Sequence, residues 1–73
     1  MTLKVSDLKA ARYIISQNYD PKDIKVDGKR WTFVFAGGAK RHFDAYYNGN
    51  DVPVKASVLD TIENNLKKRA YQS

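Results

Sequence analysis

The sequence predicts an α+β fold in the order α-β-β-β-α, a three-stranded antiparallel meander with two helices packed on one face. Two observations carry this. Apolar residues recur at helical spacing near both ends of the chain, and between them residues 24–47 alternate apolar and polar around two turn signals.

The first helix is expected over 6–19. Ser6 suits the N-cap, and Asp7 suits the first turn, where the helix dipole favours negative charge. Leu8, Ala11, Ile15 and Tyr19 fall at helical spacing, with Ile14 widening the stripe. Asp20-Pro21 ends it, because a residue before proline is pushed out of the α region. Leu3 and Val5 precede the cap as a short extended segment.

Three strands are expected over 24–47. Asp27-Gly28 reads as a two-residue type I′ turn, pairing Val26 with Lys29 and Ile24 with Trp31. One face then gathers Ile24, Val26, Trp31, Phe33 and Phe35 as the core side. Gly37-Gly38-Ala39 reads as a three-residue hairpin loop. A two-residue turn there would place Lys40, His42 and Asp44 on the Trp/Phe face, whereas the longer loop sets Phe43 opposite Phe33 and Ala45 opposite Trp31. Arg41 then covers the edge of the core.

Asn48-Gly49-Asn50-Asp51 is a turn, and a second helix follows over roughly 54–70, or from Ser57 if that residue opens it. Val54, Val58, Ile62, Leu66 and Ala70 form its apolar stripe, flanked by Leu59. Asp60 and Glu63 lie early and Lys67, Lys68 and Arg69 late, which suits the macrodipole.

Composition bounds what such a fold can do. The chain has 73 residues, read as a single domain spanning 1–73. A chain this short buries only about 60–65% of its unfolded surface and encloses no large cleft. With no Cys and a single His, neither a disulfide framework nor a thiolate or multi-His metal site is available, so no cofactor is expected. No apolar run approaches membrane-spanning length, and Met1-Thr2-Leu3-Lys4 lacks the core of a signal peptide. A soluble, monomeric, cytoplasmic protein is the expectation. Thirteen Lys and Arg against eight Asp and Glu give a net charge of +5. Such a balance draws a small domain toward polyanions or acidic protein surfaces.

Four regions carry candidate chemistry. On the expected open sheet face, Lys25, Arg30, Lys40, His42 and Tyr46 stand with Thr32, Val34 and Asp44. Cations there suit phosphates, and Tyr or His suits stacking on an unpaired base, although a solvated antiparallel face is ordinarily polar. The run Lys67-Lys68-Arg69, followed by Tyr71, is the densest positive cluster and could contact phosphates or an acidic protein patch, although its more ordinary reading is completion of a helix dipole. His42 and Asp44 would face the same way on a strand, but no nucleophile motif accompanies them, and the chain is not expected to be an enzyme. Gly37-Gly38 lacks the phosphate-loop pattern. Val5 has only Ala10 as a staple partner, so Lys4, Val5, Ser6 and Asp7 form a candidate partner-binding segment.

The element order is similar to that of double-stranded-RNA-binding domains. The chain departs from them at Pro53-Val54-Lys55-Ala56-Ser57, which offers one lysine where they have a basic helix start, and at the minimal Asp27-Gly28 turn. A DNA-reading three-stranded sheet, as in integrase arm-binding domains, would use Lys25, Arg30, Thr32 and Lys40; the N-terminal helix departs from it. The opening Met1-Thr2-Leu3-Lys4-Val5-Ser6-Asp7 and the overall length resemble small phage-encoded transcription regulators. That resemblance implies binding to the β′ subunit of the host's RNA polymerase, inhibition of initiation by displacing σ, and antitermination in the host cytoplasm. The alternative expectation is a direct nucleic-acid-binding domain using the basic sheet face.

Overall fold

A computed structural model describes residues 1–72. The elements run β1 (Thr2–Val5), α1 (Leu8–Ser16), β2 (Asp23–Asp27), β3 (Arg30–Ala36), a 3-10 turn (Gly37–Ala39), α2 (Lys40–Tyr47) and α3 (Ala56–Gln72). The α+β class and the three-stranded antiparallel sheet are as expected, with strand order β1-β3-β2.

The identity of one strand differs. Residues 40–47 form α2, and the edge of β3 expected for them is taken by the N-terminal segment. Leu3 pairs with Phe35 and Val5 with Phe33. Neither Gly37 nor Gly38 adopts the positive φ that the expected hairpin loop requires. The chain instead winds into a 3-10 turn and continues as a helix, where Lys40 reaches Asp44 one turn on at 3.6 Å. Gly37 lies against the residue that precedes β1: its N–H donates to the Met1 carbonyl at 3.1 Å, and a Cβ there would lie 3.1 Å from that oxygen.

The β2–β3 hairpin keeps the expected faces with a shifted turn. Val26 pairs with Trp31 and Ile24 with Phe33, so the two loop residues are Gly28 and Lys29. Gly28 has φ +61° and Lys29 is not in the positive region. That distribution belongs to a II′ hairpin rather than the expected I′. Each partner moved by two positions, so Ile24, Val26, Trp31, Phe33 and Phe35 still share a face, now joined by Leu3 and Val5.

The helix limits also shift. Asp7, not Ser6, is the N-cap of α1, its Oδ1 accepting from the Lys9 N–H at 2.9 Å. The helix stops at Ser16, before Asp20-Pro21, because Asn18 turns left-handed at φ 74°. Ser57 lies inside α3, and Val54 precedes it.

The core lies between the sheet and the helices. Val5, Phe33 and Phe35 from the sheet meet Ala10, Ala11 and Ile14 of α1, Ala39 of the 3-10 turn, and Leu66 of α3. Phe43 and Tyr46 of α2 and Ile62 of α3 pack around this cluster. Alanines at 10, 11 and 39 let helix backbone approach closely, while Phe33 and Phe35 are the largest fully buried side chains. The expected stripe of α3 is buried at Leu66 and Ala70, whereas Val58 is exposed.

Candidate interaction surfaces

The N-terminal segment divides by strand alternation. Val5 is 1% exposed and belongs to the core, which removes it from the partner-binding set. Lys4 and Ser6 are exposed. Asp7 is partly buried and doubly engaged: besides capping α1, its Oδ2 accepts from the Tyr47 hydroxyl at 2.8 Å. This segment therefore presents Lys4 and Ser6 outward from a sheet-edge strand, while Val5 and Asp7 hold it in place.

The face of the sheet away from the core carries Lys25, Arg30, Thr32 and Val34 as expected, with Lys4 added from β1. Asp23 and Asp27 share that face, Asp27 directly opposite Arg30. Three cations thus stand against two carboxylates, a nearly neutral surface.

Lys40, His42 and Tyr46, expected on that face, lie on α2 on the other side of the sheet. Lys40 is paired with Asp44. Tyr46 packs against the rings of Tyr13 at 5.8 Å and Tyr47 at 5.4 Å. His42 lies 5.2 Å from the Tyr19 ring, and its Nε2 accepts from Arg41 Nε at 3.3 Å. Burial and then the Arg41 charge hold the imidazole below its ordinary value. His42 and Asp44 no longer share a direction, because residues two apart on a helix do not face each other. Arg41, expected over the core edge, is exposed.

The C-terminal basic run is largely spent inside the fold. Lys67 pairs with Glu63 at 3.2 Å. Arg69 reaches Asp20 through both terminal nitrogens, at 2.8 and 3.4 Å, and donates to the Pro21 carbonyl at 3.4 Å. Lys68 is the exposed cation of the three without an ion pair among the described residues. Arg12, from the first helix, adds a bridge to Glu63 at 3.0 Å. The Arg12 and Arg69 pairs tie α3 to α1 and to the loop before β2.

Several concave regions border these contacts, two of them with apolar floors. A groove of about 400 Å³ runs between α1 and α3 over Ile15 and Ile62, beside the Asp20–Arg69 pair. A smaller notch of about 270 Å³ opens where five segments meet, lined by Ser6, Leu8, Lys29, Trp31 and Lys67. Beside it, Val26 is 42% and Tyr71 79% exposed. The sequence reading placed Trp31 and Val26 wholly in the core. Their position at the core-facing pair nearest the hairpin loop is the signal that they reach the rim.

Among the described residues no group of three His, Cys, Asp or Glu side chains is placed to hold a metal ion, and no helix is long and apolar enough to cross a membrane. No protein-family model, curated protein or solved structure matches the chain.

Proposed function

We propose that the protein is a non-enzymatic transcription regulator that acts by binding the host's RNA polymerase, inhibiting initiation, promoting antitermination, or both. The observation that carries a protein partner over a nucleic acid is the distribution of charge. Lys40, Lys67, Arg12 and Arg69 are paired within the fold, and the open sheet face sets three cations against two carboxylates. A phosphate-gripping surface needs a denser array, because its affinity comes from counterions released by each cation. A protein surface is held by a few anchors instead. The choice of polymerase rests on the resemblance of the first seven residues and the chain length to small phage-encoded regulators.

The test is direct. Purified bacterial RNA polymerase core enzyme, treated with nuclease, is passed over the immobilised protein, and run-off and terminator read-through are measured in its presence. Retention of the core enzyme with a change in initiation or read-through is expected. Failure to retain polymerase, together with binding to short duplexes at low salt, overturns this reading in favour of the nucleic-acid alternative.

A further inference from the structure

We propose that the notch at Trp31 is a docking pocket for an aliphatic side chain flanked by carboxylates in an extended segment of a partner protein. The inference deepens the protein-binding reading, on which it rests, by giving the partner's chemistry.

Four features select that occupant. The floor is apolar, formed by Trp31 of β3 and Leu8 of α1. Its volume, about 270 Å³, lies just under the ~300–1,000 Å³ of small-molecule pockets, so it suits one side chain better than a cofactor. Two lysines flank it, Lys29 from the hairpin loop and Lys67 from α3, and no carboxylate lines it. The nearby acids are engaged elsewhere. Asp7 caps α1 and accepts from Tyr47, Glu63 is held by Arg12 and Lys67, and Asp27 lies on the opposite sheet face from Trp31. Lys29 keeps its charge free at the rim, since it forms no ion pair among the described residues. An incoming carboxylate meets the unpaired Lys29 beside an apolar floor, and Lys67, already shared with Glu63, adds a weaker pull from the other side.

The aromatic geometry separates this occupant from an unpaired base. Trp31 is packed at 6.1 Å against Phe33 and at 6.0 Å, edge to face, against Tyr71. Its ring is built into a cluster and does not stand as an open stacking platform of the kind that single strands require. Ser6, just after β1, lines the same notch.

Trp31 is the only tryptophan in the chain, so its emission reports the pocket. The probe is a synthetic peptide with one leucine between two pairs of aspartates. Its control carries lysine in place of each aspartate. The acidic peptide is expected to shift Trp31 emission saturably, and the basic one is not. Lys29→Glu, in the exposed loop, should weaken the acidic peptide about tenfold or more, and Lys67→Gln should weaken it less, both with the wild-type circular dichroism. Equal response to both peptides overturns the proposal. So does an unchanged affinity in Lys29→Glu, a stronger response to oligothymidine than to the acidic peptide, or an emission shift that follows protein concentration alone. If the acidic peptide binds but polymerase is not retained, the pocket stands and the polymerase reading falls. If polymerase is retained equally by wild type and Lys29→Glu, the polymerase reading stands and the pocket falls.

Discussion

Tyr47, the last residue of α2, donates a 2.8 Å hydrogen bond to Asp7, the residue that caps α1. One carboxylate therefore holds the start of the first helix and the end of the second. Its Oδ1 takes the Lys9 N–H while its Oδ2 takes the phenol. The same bond raises the Tyr47 hydroxyl above its ordinary value, since a phenol that donates to a carboxylate resists losing its proton.

Asp7→Ala removes both bonds and should cost about 0.5–2 kcal/mol, the usual range for a lost cap. Tyr47→Phe leaves the cap and should cost less. Urea unfolding of the two variants measures the difference, and equal losses would show that the cap adds nothing. In Asp7→Ala the Tyr47 phenolate should appear at lower pH than in the wild type, read by its absorbance.

Val5 and Lys4 should separate cleanly. Val5→Ala should lose roughly 1.5–3 kcal/mol, the value of burying such a side chain, and Val5→Glu should unfold the domain against Phe33. Lys4→Glu, on the opposite face, should change stability by no more than about 0.5 kcal/mol. Lys4→Glu is therefore the variant that tests partner contact. If Val5→Glu stays folded, the pairing of β1 with β3 is wrong.

His42 makes stability depend on pH in one direction. Its folded value lies below the unfolded one, so the folded state binds fewer protons. Stability is then full above about pH 6.5 and declines as pH falls through the folded value. Thermal midpoints across that range should drop in the wild type and drop less in His42→Gln. A wild-type midpoint that rises on acidification over this window would contradict the Tyr19–His42–Arg41 arrangement.

The open sheet face limits any nucleic-acid affinity. With Lys4, Lys25 and Arg30 as its cations, the slope of log affinity against log salt should be no steeper than about −2.7, at about −0.9 per phosphate contact. Titrations of a short duplex at several salt concentrations give the slope. A value twice as steep would mean that cations beyond this face, such as Lys68, contact the phosphates.

Much of the candidate surface was legible from alternation. Lys25, Arg30, Thr32 and Val34 stand on the open face because Ile24, Trp31, Phe33 and Phe35 claim the other, and a shift of the hairpin turn preserved that parity. Lys40, His42 and Tyr46 were misplaced because eight residues with three aromatics, Phe43, Tyr46 and Tyr47, fit both periods. The strand reading set Phe43 inward by alternation. The helix sets Ala39, Phe43 and Tyr46 inward by the 3–4 spacing, and local pattern does not choose between them. Nor does the charge count reveal pairing: Lys67 and Arg69 looked free until Glu63 and Asp20 were brought beside them.

Composition and periodicity alone require an α+β domain with a Trp/Phe sheet face, a helix on each side of the strands and a basic surplus. Which segment completes the sheet is a contest for one free edge of β3, between residues 40–47 next to it in sequence and residues 2–5 some thirty positions away. The N-terminal segment wins by placing Leu3 and Val5 against Phe35 and Phe33, with Gly37 admitting its backbone, while 40–47 buries its aromatics as a helix. That outcome depends on long-range pairing and on how all the helices share one core, neither of which is written in any local stretch of the chain. It is also what leaves Lys4 and Ser6 facing outward and opens the notch at Trp31.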